Sequence, residues 1–157
     1  MQVNNSKIGK LLIGAGAAIA FLSRQKITVG VKGVYLNGLV SESSIPLRVV
    51  VYISNRTILG SLLIRSISGV LVSSGRTVAT IDQIINRRIG AGKYIEHSLL
   101  ININGVEAMQ AMWENIQSGN IQSLAFDLMG EIVVGEQWPI PIRFKKLFTY
   151  NEIQQML

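Results

Sequence analysis

The chain has 157 residues, a length that can form one domain with a core of its own, and no cysteine, which excludes disulfides and every thiolate nucleophile or metal ligand. Apolar residues make up 48% and charged residues 15%, too apolar a mixture for a disordered chain. The net charge of +6 is unevenly spread: Lys7, Lys10, Arg24 and Lys26 fall in the first 26 residues, which hold no acid, and the other eleven bases face nine acids, so the basic balance of the whole does not mark the body as nucleic-acid-binding.

First in chain order comes an apolar run of twelve, Leu11 to Leu22, reading LLIGAGAAIAFL. A helix is expected over residues 8–22. The run itself would then measure about 18 Å, short of a hydrocarbon core of about 30 Å. Basic residues before a short apolar stretch match a signal-peptide core, but the bulky Phe21-Leu22-Ser23-Arg24 offers no small-x-small cleavage site. Gly14, Ala15, Gly16, Ala17, Ala18 and Ala20 would allow close helix–helix approach in protein or in lipid. Leu11, Leu12, Ile13, Ile19, Phe21 and Leu22 are therefore the candidate assembly or anchoring residues. Three settings stand open for them: an envelope membrane, a partner protein, or the domain's own core.

The body then turns β-rich. Ile27 to Leu36 is partly alternating and ends at the turn signal Asn37-Gly38. Ile45 to Ser54 is a second strand, with Pro46 near its start, where a missing donor is tolerated. Leu62 to Ser73 alternates with a shift at Gly69 that suggests a bulge there. Arg76 to Ile85 is expected to be extended with Val78 and Ile81 buried, and Ile89 to Gly92 is a connection. Along Lys93 to Ile103, residues Ile95, His97, Leu99, Ile101 and Ile103 share a face.

At Gly105 the period changes. Val106, Met109, Met112, Trp113 and Ile116 fall at helical spacing, with Trp113 as the expected core anchor, and Ser118-Gly119-Asn120 stops that helix. Ile121 to Val134 and Gln137 to Phe148 are two further strands joined at Gly135-Glu136. Trp138 is expected to plug the end of the fold, and Tyr150 to Leu157 to form a helical turn or two. About seven short strands with a single late helix favour a mainly β, immunoglobulin-like antiparallel sandwich over a parallel sheet. The expected organisation is an apolar segment over residues 1–25, the sandwich over 26–148 and a tail over 149–157.

The order of elements resembles the type-2 late embryogenesis abundant proteins and their water-stress (WHy) domain relatives. Val49 to Asn55 matches that family's strand ending in Asn-Pro, with Arg56 where the proline usually stands. Ile64 to Gly75 matches the strand with a spaced glycine and glycine turn that follows. The late helix and the ending Leu128 to Ile142, a strand, a glycine turn and a strand carrying Pro139 and Pro141, fit as well. The resemblance spans roughly Lys26 to Phe148 and implies a sandwich with no catalytic residues. Similar domains behind a short Gly/Ala-rich apolar segment occur in Bacteroidetes and their crAss-like phages, a setting with which the abundance of Ile and Asn is compatible.

Chemistry is sparse. His97 is the single histidine, too few for a multi-histidine metal site, and is expected as a core or sheet-face residue. A triad would need it beside Asp82 or Asp127 and a serine, and no nucleophile elbow accompanies it. Asp127, between Phe126 and Leu128, is expected as an outward, solvated carboxylate. The glycines of residues 14–16 and 90–92 lack a phosphate loop's context. Arg87-Arg88 with Lys93, and Arg143 with Lys145-Lys146, are expected at strand ends or subunit contacts, and the aromatics are too scattered for a base-stacking platform. No catalytic, cofactor or metal residue and no specific nucleic-acid site is expected. The expected function is a non-enzymatic structural subunit of a multi-chain assembly, a phage virion tail or connector component. Its partners would be subunits of that assembly, as a homo-oligomer or ring. The alternative is a bacterial envelope protein of the stress-protective type-2 kind, held in the membrane through residues 8–22.

Overall fold

The computed structural model describes residues 20–22, 27–41, 43–117, 125–136 and 138–156. Among these described residues eight strands and two helices follow one another: β1 (Ala20–Leu22), β2 (Ile27–Leu36), β3 (Ser44–Asn55), β4 (Leu62–Ser73), β5 (Arg76–Ile89), β6 (Tyr94–Asn104), α1 (Gly105–Gln117), β7 (Ala125–Val134), β8 (Trp138–Thr149) and α2 (Tyr150–Met156). Two four-stranded sheets form, in the orders β1-β2-β3-β6 and β5-β4-β7-β8, with every pairing antiparallel. The chain is the mainly β antiparallel sandwich that its alternation implies.

Burial follows parity. On β3 the inward residues are Leu47, Val49, Val51 and Ile53; on β6 they are Ile95, Leu99, Ile101 and Ile103. From the second sheet come Ile64, Ile67 and Leu71 of β4, Val78 and Ile81 of β5, and Ile140, Ile142 and Phe144 of β8. Pro139 and Pro141 take the outward positions of β8, an edge strand where a missing donor costs no ladder bond. Phe126 and Phe148 stack with centroids 4.7 Å apart near the β7–β8 end.

Two sequence expectations need correction. Ala20–Leu22 is a strand, with Ala20 opposite Val29, Phe21 opposite Thr28 and Leu22 opposite Ile27, so a helix over residues 8–22 does not extend to Leu22. A strand here supplies backbone partners to the edge of β2. The second correction concerns Gly69. It lies in regular register between Ile81 and Gly130, and the shifts of β4 fall instead at Arg65 and between Leu71 and Val72. Gly69 is a close-approach residue. A Cβ there would lie 2.8 Å from the Gly130 Cα and run into the Met129 carbonyl, and one on Gly130 would run into the Ser68 carbonyl. The pair lets β4 and β7 lie close together where Gly69 faces Gly130.

Both helices are capped by residues at the preceding strand's end. The Asn104 side-chain oxygen accepts the N–H groups of Val106 (3.0 Å) and Glu107 (3.3 Å), which fixes where β6 becomes α1. Thr149 and Glu152 form a reciprocal capping box at α2: the Glu152 carboxylate accepts the Thr149 N–H at 2.6 Å, and the Glu152 N–H donates to the Thr149 hydroxyl at 3.4 Å. Ile153 of α2 is buried in the core, so the described part of the expected tail is packed.

Gly69→Ala is expected to lower stability by about 1–3 kcal/mol, because both nearest obstacles are backbone and cannot swing away. Gly90→Ala, whose nearest neighbour would be the Lys93 side chain at 3.6 Å, is the control and should stay close to neutral. Urea denaturation of the two variants checks this; equal stability would show that β4 and β7 can part at Gly130.

Candidate functional site

The period change at Gly105 produces the helix expected there, but three of the five residues at helical spacing, Val106, Met109 and Trp113, do not face the core. Gly105, Ala108 and Ala111 turn inward onto β5 and β6. Val106, Met109 and Trp113 turn outward, with 53%, 59% and 60% of their surface exposed. Trp113 is thus not a core anchor. Small residues bring the helix backbone close to the sandwich, and that closeness leaves no room for an indole beneath it. Met112 and Ile116 are part of α1, and their side chains lie outside what is described. A second tryptophan is misplaced by the same reasoning: Trp138 is 65% exposed at the start of β8 and plugs nothing.

Arg76, the first residue of β5, ties α1 down along one side. Its guanidinium donates to Glu114 at 2.6 and 3.0 Å and lies 3.5 Å from the Glu107 carboxylate. The hydrogen bond and charge of Glu114 raise the Arg76 pKa, and the hydrogen bond from Arg76 lowers that of Glu114. All three groups are well exposed, so the network orients the helix more than it stabilises it. Beside it runs an open groove of about 450 Å³ lined by Arg76, Val106, Met109, Gln110, Trp113 and Glu114. A contiguous apolar patch with a polar rim is what docking surfaces on soluble proteins look like.

A second concavity, about 400 Å³, lies at the other end of the first sheet, between Thr28, Ser54, Asn55, Arg56, Gly92, Lys93 and Tyr94. Among the described residues neither Arg56 nor Lys93 has a carboxylate within 4.0 Å. Its one deeply buried side-chain amide is committed to the protein. Asn55 donates to the Ile89 carbonyl (3.0 Å) and the Gly60 carbonyl (3.3 Å), and accepts from the Thr57 N–H (3.0 Å) and hydroxyl (2.6 Å). It knots the end of β3 to the loop before β4 and to the end of β5, a reason for asparagine at this place that holds without the proline.

The titratable residues singled out in the sequence are dispersed. His97 is half-buried on the inward parity of β6, opposite Val51, and burial together with the charge of Arg87 lowers its pKa. Asp82 is exposed on β5. Asp127 is not simply solvated: its carboxylate accepts the Lys146 N–H at 2.8 Å, where β7 and β8 slip register and Lys146 takes a φ of 52°. No three of His, Cys, Asp and Glu converge among the described residues. Arg87 instead donates to the Glu96 carbonyl at 3.0 Å, and Gln83 to the Leu100 carbonyl at 3.4 Å, stitching the edge of β6 to β5.

Of the candidate assembly or anchoring residues, Phe21 and Leu22 lie in β1, and Leu11, Leu12, Ile13 and Ile19 fall outside the described residues. No described helix is long and apolar enough to cross a membrane. The α1 stripe was missed as a surface although a signal for it existed: Ala108 and Ala111 are three apart, mark a face of small residues, and lie off the Val106-Met109-Trp113 line.

The sequence matches no protein-family model, and no curated protein matches it. The fold does have a counterpart. A crystal structure of a protein from Archaeoglobus fulgidus superposes with a TM-score of 0.58, covering 76% of this chain and 96% of its own, at 10% sequence identity. Likeness at that identity concerns the sandwich alone.

Two expectations follow. Asn55→Asp should destabilise the chain by at least about 2 kcal/mol, since it faces two carbonyls with a buried carboxylate that cannot donate; an unchanged urea midpoint would rule the knot out. For His97, a lowered folded pKa means that the unfolded chain takes up the proton first, so stability should be level above the ordinary histidine pKa of about 6.5 and fall as pH drops from there through the lowered value. His97→Gln should remove that part of the decline and leave self-association unchanged within a few-fold. Thermal melts from neutral to about pH 5 compare the two chains.

Proposed function

We propose that this protein is a non-enzymatic structural subunit of a multi-chain assembly, a phage virion tail or connector component whose partners are other subunits, copies of the same chain among them. The observation that carries the reading is the exposed apolar stripe of α1, Val106, Met109 and Trp113, held against the sandwich by Ala108, Ala111 and Arg76. A stripe of large apolar side chains facing outward from a helix that is capped and pinned is what a subunit interface requires. Exposed Ile58 and Leu59, in the loop between β3 and β4, add apolar surface elsewhere. The viral setting rests on the resemblance of the chain to sandwich domains behind a Gly/Ala-rich apolar segment in Bacteroidetes phages.

Native mass measurement of the full chain tests the proposal. A defined oligomer is expected, and Trp113→Arg should shift it at least tenfold toward monomer while changing stability by no more than about 0.5 kcal/mol, the range of a surface substitution. A monomeric wild-type chain at micromolar concentration would refute the assembly. Fractionation separates the settings: co-purification with particles that resist mild detergent supports the virion subunit, and recovery in detergent-extractable membrane would replace it with the anchored envelope protein.

A further inference from the structure

Three described connections meet at the end of the sandwich opposite α1. That helix follows Asn104, which pairs with Ser44 at the start of β3, so the far end is where β3 finishes at Asn55. There the Asn55 N–H donates to the Lys93 carbonyl (2.8 Å), Leu62 pairs with Ile89, and the Gly135 N–H donates to the Leu63 carbonyl (2.8 Å). The β3–β4, β5–β6 and β7–β8 connections are thereby gathered together. The Asn55 side chain closes the first of them from both sides, at Thr57 and at Gly60. Between those two ties stand Ile58 and Leu59, 82% and 87% exposed. A pinned loop thus carries two large aliphatic side chains at its tip, past the last paired residues of β3 and β4. Further back are exposed Tyr94 and Trp138, the first residues of β6 and β8. The same end holds Arg56 and Lys93, which line its concavity with Thr28 and Ser54 and have no carboxylate within 4.0 Å among the described residues. Glu136 is the one acid on the described residues of the three connections. At the α1 end, by contrast, Arg76 is already met by Glu107 and Glu114.

We infer that this end docks on an anionic lipid surface, with Ile58 and Leu59 entering the boundary between headgroups and acyl chains and Arg56 and Lys93 meeting lipid phosphates. The order of chemistry is that of such an interface: aliphatic side chains foremost, tryptophan and tyrosine at headgroup level, cations among the headgroups. Shape selects lipid over a protein partner. Two aliphatic side chains on one projecting loop fall well short of the about 800 Å² per partner of a stable protein interface, whereas lipid closes around a projection of any outline. The unpaired cations select an anionic surface over a neutral one. The contact uses neither α1 nor residues 8–22, so the structural-subunit reading stands or falls without it.

Flotation of the full-length chain with vesicles tests the inference. Vesicles of phosphatidylcholine with about 30% phosphatidylglycerol should carry the chain at least about tenfold better than phosphatidylcholine alone. Salt at about 1 M, where the screening length is about 3 Å, should release it, unlike a chain anchored through residues 8–22. Ile58→Ser with Leu59→Ser should abolish this salt-releasable binding, and Arg56→Gln with Lys93→Gln should weaken it about twentyfold. All four positions are exposed, so thermal melts of both variants should match the parent chain. In a Trp113→Phe chain Trp138 is the single tryptophan, and its emission should shift to the blue on anionic vesicles. Equal binding to neutral and anionic vesicles, or no binding to either, would overturn the inference. Binding that both pairs of substitutions leave unchanged would overturn it in favour of residues 8–22. A fall in native mass on Ile58→Ser with Leu59→Ser, with flotation unchanged, would make the tip a subunit contact instead.

Discussion

A residue in the middle of either sheet has its side chain on one of two faces, and only one of those faces is dry. The alternation this imposes is the constraint from which the rest of the molecule follows. On β3 and β6 a slip of one residue would move Leu47, Val49, Val51 and Ile53, or Ile95, Leu99, Ile101 and Ile103, from the core into water. At the hydrophobic increment of about 25 cal/mol per Å² such an exchange is prohibitive, so the register of the central pairs is fixed and the irregular features must fit around it.

Three of those irregularities fall beside a polar side chain that makes a contact of its own. Lys32 occupies the shift between Val31 and Gly33 and reaches Glu96 at 2.6 Å; that hydrogen bond and the charge of Glu96 raise its pKa. Arg65 occupies the shift of β4 and donates to the Gly135 carbonyl, with Asn86 opposite in a left-handed conformation, φ 47°. Asp127 holds the slip between β7 and β8 through the Lys146 N–H. Each extra residue increases local twist while the inward set stays inward. The same logic explains Gly30, which sits opposite Tyr52 with the phenol ring lying where a side chain would be.

How far the sequence reveals this follows from what each signal encodes. Alternation reports burial directly, so β2, β3, β4, β6 and the inward half of β8 are legible, and so is α1, because Asn104-Gly105 marks its start and the period changes there. Alternation does not report pairing partners, so the three residues of β1 are indistinguishable from the end of an apolar helix: Ala20, Phe21 and Leu22 suit either. Nor does it separate a glycine that bends a strand from one that lets two strands touch, and Gly69 is of the second kind. Side-chain size misleads on α1. Large apolar residues at helical spacing suggest the core face, yet the inner face is set by how closely the helix must approach, and alanines win there. That one error concealed the exposed apolar stripe of α1.

Sandwiches of this kind also carry an obligation at their edges, since an open strand invites pairing with another chain. Here the described edges are blunted. Strand β8 presents Pro139, Pro141 and the Lys145-Lys146 pair, and β1 is only three residues long. On the other flank Gln83 and Arg87 of β5 donate to two carbonyls of β6, and Arg88 and Asp82 add exposed charge. With sheet extension opposed on both flanks, a chain that self-associates must do so through side chains, and the largest exposed apolar side chains held on a regular, capped element are those of α1. Edge protection and helix exposure are therefore complementary: the first suppresses open-ended strand pairing, and the second leaves an apolar stripe held in fixed geometry on the sandwich.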